Sequence, residues 1–435
     1  MNRRNLGILG ALALAGAACD GTGTGDSLIG GRGGASGSDP EAPGVFNTST
    51  NNGPGGTPGT GGSAAAGTAG GAGAAAADGG ANASIDDRVI NYGEALRTAS
   101  IKLVGAFPLL TDIQAIEAAA TPAAAQTLYE ADIDAMLADT RFADTQITWW
   151  RNTFKTGEPT DPTQLATLPK GSPNFDTAAM FAASVVVGGL PFTNILTAAT
   201  GTCPTYASGT FTPANCTNNA PTTGILTDPG IQAQFFGHMA FRRVRFIQEI
   251  FACSAFPAEL GPKPVTMGSG EYTSPWDFDS IAGGATAKID FQSTSAIICA
   301  NCHTSLNHIA PLFANFDENG LYNATTIQVQ TPVTPPVTSV LLDWLPAGQP
   351  FAWRYGTTVT DIPSFGTAMA ADPDVQRCAV TRVWNWAFSR GDVVNDGAPV
   401  PTTVSDSYLA AFQAANYNMK TLIRSVFTSD DFVKF

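Results

Sequence analysis

The stretch CANCHTSLNHIAPLF, residues 299–313, puts two thiols and an imidazole into five consecutive positions: Cys299, Cys302 and His303. With seven cysteines and three histidines in 435 residues, random placement does not account for such a cluster. The spacing suits one demanding piece of chemistry. Two reduced thiols meet the two vinyl groups of a single porphyrin as thioethers, and the imidazole that follows takes an axial position on the iron. A zinc site would want a second Cys or His pair at finger spacing, and a thioredoxin-like redox pair would want a βαβ setting. The sequence offers neither. The expected cofactor is one haem c, covalently held by Cys299 and Cys302 with His303 as proximal iron ligand.

The opposite axial position is less determined. His308 follows His303 by five residues, about 7.5 Å further along a continuing helix and still on the proximal side. The remaining candidates are Met239, which we favour, and His238 in FFGHMAFRR, and Met369 in IPSFGTAMA. Each is also readable as an ordinary core side chain, and an open or water-occupied position is the other alternative. A Met ligand raises the reduction potential and suits electron transfer; an open position admits peroxide or oxygen. Arg242, Arg243 and Arg245 could pair with haem propionates, or could form a solvated helix face.

The segments that must carry these residues begin late in the chain. MNRRNLGILGALALAGAAC has a basic start and an apolar run ending in small residues at Cys19, which reads as a secretory signal too short to span a bilayer. Gly16-Ala17-Ala18-Cys19 resembles a bacterial lipoprotein cleavage box, so Cys19 is the expected lipid attachment point. Residues 20–84 are Gly, Ala, Ser, Thr and Pro with almost no larger apolar side chain, unable to offset the entropy of ordering them. They read as a flexible tether of about 45 Å mean reach. The net charge of −14, without a basic face, excludes nucleic acid as a partner.

About 350 residues remain, enough for real cores. Helix signals dominate: Val89, Leu96, Ala99 and Leu103 share one spacing, and Thr121-Pro122, Ser172-Pro173, Asp228-Pro229 and Asp372-Pro373 pair a capping residue with proline at the first helical position. Gly391 is expected to stop the helix DPDVQRCAVTRVWNWAFSRG, and MKTLIRSVFTSDDF reads as a final helix. Strand signals are confined to 325–334 and 338–345. The expectation is a mainly α fold with a minor β element, divided as 85–200, a haem-bearing 201–345, and a helical 346–435 packed on it. With Cys19 assigned to lipid, and Cys299 and Cys302 to haem, Cys203 and Cys216 are expected to close a polar loop as a disulfide. Cys253 and Cys378 are readable either as a bridge across the core or as two buried thiols.

Several stretches together resemble the planctomycete-type cytochrome c proteins. CANCHTSLNHIAPLFANFDENGLY is similar to their haem-attachment segment, with Phe316, Asp317 and Gly320 matching its Phe-Asp-x-x-Gly turn. FRRVRFIQEIFAC (241–253), LPFTNILTA (190–198), LYEADIDAMLADTRFADTQITWWRNTF (128–154), VQRCAVTRVWNWAFSRG and TLIRSVFTSDDF resemble the family's helices. Asn307 stands where the pattern has Asp, and His308-Ile309-Ala310 replaces its Pro-x-Gly. The resemblance implies an exported, haem-bearing protein without fixing a reaction. The expected function is a membrane-anchored extracytoplasmic monohaem cytochrome, passing electrons to a redox partner protein in the periplasm or at the cell surface. The alternatives are a haem-dependent peroxidase or oxygenase with an open distal site, and a surface interaction module with structural haem.

Overall fold

The computed structural model describes residues 88–157, 173–236, 241–255, 305–330 and 351–435, with shorter pieces at 265–267, 270–272 and between 338 and 350. The expected leader, Cys19 and the tether lie outside the described residues, as do Cys299, Cys302, His303, His238 and Met239.

The N-terminal helices are α1 (Tyr92–Val104), α2 (Leu110–Glu117), α3 (Pro122–Ala138), α4 (Arg141–Phe154) and α5 (Thr177–Val187). Helix α1 buries Leu96, Ala99 and Leu103 on one face, as their spacing predicts. It starts at Tyr92, where the Asn91 side chain accepts from the Glu94 N–H at 3.1 Å. Val89 is therefore not part of it. That residue is 68% exposed and exchanges backbone hydrogen bonds with Phe435. Thr121 caps α3 as expected, accepting from the Ala124 N–H with Pro122 behind it. The Ser172-Pro173 expectation fails differently: Ser172 lies outside the described residues, and the helix that follows begins only at Thr177. Helix α5 reads TAAMFAASVVV, apolar all round, and such a helix belongs in an interior. It packs against α4, which presents Phe142, Ile147, Trp150 and Phe154.

After a short α6 (Asn194–Thr197), the chain forms the hairpin β1 (Thr205–Ala207) and β2 (Thr210–Thr212), then α7 (Pro229–Gln234) and α8 (Phe241–Phe251). Three further two-stranded antiparallel hairpins pair β3 (Val265–Met267) with β4 (Gly270–Tyr272), β5 (Gln328–Gln330) with β6 (Thr338–Val340), and β7 (Phe351–Trp353) with β8 (Thr357–Val359). Only β5 and β6 correspond to the alternating stretches in the sequence. The β7–β8 hairpin is pinned to the C-terminal helices by charge. The buried Arg354 reaches Asp372 at 3.4 Å and Asp374 at 2.9 Å, while the Trp353 indole N–H donates to Asp372 at 2.8 Å.

Helices α9 (Ile362–Ala371), α10 (Pro373–Ala387), α11 (Thr402–Ala414), α12 (Met419–Phe427) and α13 (Asp430–Val433) complete the chain. Asp372 caps α10, accepting from the Asp374 N–H. That helix stops before Gly391, because Ser389 takes the left-handed conformation at φ 51° and the Arg390 N–H donates back to the Asn385 carbonyl. The final helix is two. Ser429 breaks it and caps α13 by accepting from the Phe432 N–H. From Val89 to Phe435 the chain is one compact unit. Side chains from all three expected segments, among them Leu96, Ile247 and Val383, meet in one hydrophobic cluster. The architecture is thus mainly helical with small antiparallel sheets.

Candidate functional site

The described residues next to the Cys-x-x-Cys-His motif are a helical stretch over 305–309 and the 3-10 turn Ala310–Phe313 that continues it. Both are buried, and one side chain of α8 reaches the 3-10 turn. Arg243 is 1% exposed. Its guanidinium donates to the carbonyls of Gln232 (2.7 and 3.1 Å), Phe313 (3.2 Å), Phe316 (3.5 Å) and Asp317 (3.4 Å). It also lies over the rings of Phe236 and Phe316. Burial pushes its pKa down to about 9, opposed by the Asp317 carboxylate. Neither reading of the basic cluster fits this residue: its donors are spent on backbone, so it is neither a propionate partner nor a solvated face. Arg245 instead pairs with Glu249 at 2.6 Å, and Arg242 and Arg245 line a shallow cleft with Lys155 and Glu249.

The sequence did hold a signal for this. On a helix Arg243 shares its face with Phe246, Ile247 and Ile250, whereas Arg242, Arg245 and Glu249 share another. A cation inside the apolar stripe has to find buried acceptors.

Beyond Arg243 lies the Phe-Asp-x-x-Gly turn. Asp317 accepts from the Asn319 and Leu321 N–H groups at 2.9 and 3.0 Å, and the Gly320 N–H donates to the Asp317 carbonyl. Gly320 sits at φ 71°, and a Cβ there would stand 2.1 Å from the Pro229 carbonyl oxygen. Asn218, buried, donates to the carbonyls of both Thr227 and Gly320. The turn is thereby locked onto the start of α7. Replacing Gly320 by Ala adds left-handed strain to a backbone collision, and we expect a loss of about 2–3 kcal/mol. Urea denaturation of Gly320→Ala checks it; a loss under about 0.5 kcal/mol, the range of neutral surface changes, would contradict the docking.

His308 is 1% exposed, and its Nε2–H donates to Gln349 Oε1 at 2.7 Å. Asn307, the position at which the family pattern has Asp, is fully buried. Met369 lies fully buried in the hydrophobic cluster, on α9. Met239 and His303 lie outside the described residues.

Both cysteine pairs are disulfides: Cys203–Cys216, with Cα atoms 5.0 Å apart, and Cys253–Cys378, with Cα atoms 5.4 Å apart. The second ties the end of α8 to α10, and one turn along α10 Arg382 adds to it. Arg382 donates to the last carbonyls of α8, Ile250 at 3.1 Å and Glu249 at 2.8 Å, and pairs with Asp392 at 2.6 Å. A cation at a helix C-terminus satisfies orphan carbonyls and meets the negative end of the helix dipole.

The first disulfide flanks the β1–β2 hairpin, which the sequence disclosed only as a polar loop. Beside it Asp228 caps α7, accepting from the Ile231 N–H at 2.9 Å. Burial pushes this carboxyl up to about 7 although the Ile231 and Gly230 N–H groups favour its ionised form. A carboxyl whose folded pKa is raised binds its proton more tightly folded than unfolded. Its contribution therefore favours folding most at low pH and declines as pH rises from the ordinary carboxylate range to about 7, staying flat above that. Asn caps a helix as well as Asp does. We expect Asp228→Asn to show a shallower fall in unfolding free energy between pH 5 and pH 8 than the parent; parallel profiles would count against the assignment.

No protein-family model, curated protein or solved structure matches the chain.

Proposed function

We propose that the chain is an extracytoplasmic, membrane-tethered monohaem c-type cytochrome that passes electrons to or from a redox partner protein. The single observation behind this is the order Cys299-x-x-Cys302-His303, whose donors fit haem c: two thiols for the thioethers and an imidazole for the iron. When bound, the haem supplies an iron that cycles between ferric and ferrous states. Cys299 and Cys302 would hold it, His303 would ligate it, and Met239 is the proposed second ligand. The protein's own contribution is rigidity. Arg243 and the Asp317–Gly320 turn hold Phe313 to Gly320, a short way beyond the motif, against α7 and α8, which gives the haem segment a fixed support on that side.

Two disulfides support an oxidising compartment, the setting in which such bonds persist. An N-terminal lipid on Cys19 is the proposed anchor, and the resemblance to the planctomycete-type cytochromes c points the same way.

Expression in a host competent for cytochrome maturation, followed by mass measurement of the mature protein, tests the reading. We expect one porphyrin per chain, a Soret band, and loss of covalent haem in Cys299→Ser and Cys302→Ser. A colourless parent protein would refute the proposal. Carbon monoxide then sorts the reactions. An unchanged spectrum of the reduced protein is expected for a six-coordinate carrier, and rapid binding would favour peroxide or oxygen chemistry at an open site.

A further inference from the structure

Cys203, Cys216 and Asp228 form a cluster that the haem reading does not use. Their ligating atoms all lie within 4.8 Å of one another, and Cys203 Sγ is 4.0 Å from Asp228 Oδ2. Asp228 is 0% exposed, and its Oδ1 accepts from the Ile231 N–H at 2.9 Å while Oδ2 faces Cys203 Sγ. Among the described residues no Lys, Arg or His pairs with it. A buried carboxyl with no cation beside it gains a partner for its ionised form from any cation that can reach it. The two sulfurs supply the route, because Cys203 and Cys216 are only partly buried.

As long as the sulfurs are bonded to each other they cannot serve as thiolate ligands. The geometry points to a redox-gated site for a divalent cation of the zinc class, built from Cys203, Cys216 and Asp228. A dithiol reductant delivers two electrons and two protons, the Cys203–Cys216 bond breaks to give two thiols, and the reductant leaves as its own disulfide. The incoming cation displaces both thiol protons to solvent and takes two thiolates and one carboxylate oxygen. A tetrahedral cation then keeps a fourth position for water.

Three features prepare the site. Thiolates select zinc-like cations over magnesium and calcium. The cysteines stay neighbours after the bond opens, because the Cys203 N–H donates to the Ala214 carbonyl at 2.9 Å and the Gly201 N–H to Asn215 Oδ1 at 2.7 Å. Thr202 Oγ1, from a residue 1% exposed, lies 3.4 Å from Cys216 Sγ, where a hydroxyl can donate to a thiolate from outside the ligand set.

The test uses the full chain carrying Cys299→Ser and Cys302→Ser, which removes the motif thiols and makes the result independent of haem. After reduction by a dithiol and anaerobic desalting, the protein is titrated with cobalt(II) alone. We expect thiolate-to-cobalt charge-transfer and tetrahedral visible bands in the reduced protein and none in the oxidised one. Cys203→Ser should abolish the bands, and Asp228→Asn, which keeps the helix cap, should weaken binding at least tenfold with an unchanged circular dichroism spectrum. Should the reduced protein give no bands, or should Asp228→Asn or Cys203→Ser bind cobalt as the parent does, the site does not exist. Bands that persist in Cys203→Ser would trace the cation to Cys253 and Cys378 and overturn the assignment equally.

Discussion

Arg243→Met is expected to destabilise the protein by about 3–5 kcal/mol and to loosen one segment before any other. The magnitude follows from what the side chain does. Its donors satisfy carbonyls of Gln232, Phe313, Phe316 and Asp317; the Phe313 and Asp317 carbonyls keep the Phe316 and Gly320 N–H groups, but removing the guanidinium strands the other two acceptors at about 1–3 kcal/mol each where no water replaces the bond. Against this stands the cost of keeping a cation buried without a carboxylate in contact, which Met abolishes. The first effect wins because two buried acceptors are left without a donor and two more lose a second one, while only one charge is relieved. Arg243→Lys keeps the charge and loses the planar fork, so it should recover only part of the loss.

Hydrogen exchange gives the readout that a general loss of stability would not. Amides in 305–323 should lose protection well ahead of those in α9–α12, because Arg243 spans α8, the 3-10 turn and the Asp317 turn. Uniform loss across the chain would mean that Arg243 is ordinary core.

What could be read from the sequence divides along physical lines. Local chemistry was legible: Thr121, Asp228 and Asp372 act as caps because a short polar side chain before proline has few other uses. Helix existence was legible from periodicity, as in Leu96, Ala99 and Leu103. Helix ends were not, since Ser389 and Ser429 break helices where tertiary context outweighs propensity. The short hairpins β1–β2 and β7–β8 were missed because three-residue strands carry too little alternation to register. The Cys203–Cys216 pair followed from sequence proximity. Cys253–Cys378 remained open between bond and buried thiols, because only the crossing of α8 and α10 brings those residues together. Of the proposed haem site, Cys299, Cys302 and His303 rest on the sequence alone, since they lie outside the described residues, whereas the burial of Arg243 was legible only from its place on the helical wheel.

The crossing of α8 and α10 sets the last expectation. Cys253 and Cys378 are 125 residues apart in sequence, so their bond closes the stretch that carries the Cys-x-x-Cys-His motif into one long loop. By chain entropy a closure of that length is worth about 5 kcal/mol, nearly all of it a restriction of the unfolded state. The bond also works on the folded side. It holds α10 where Arg382, one turn from Cys378, can donate to the Ile250 and Glu249 carbonyls. Cys253→Ala with Cys378→Ala should therefore lower the thermal midpoint on the order of 10 °C, whereas breaking Cys203–Cys216, which closes a loop of 13 residues, should cost less. Adding Arg382→Met to each background separates the two contributions. If the bond positions α10 for Arg382, the Arg382 change costs less once the bridge is gone; if the bridge acts on the unfolded chain alone, the two losses add. Full additivity would reduce the disulfide to an entropic clamp, and a bridge removal costing under about 1 kcal/mol would contradict the loop-closure account itself.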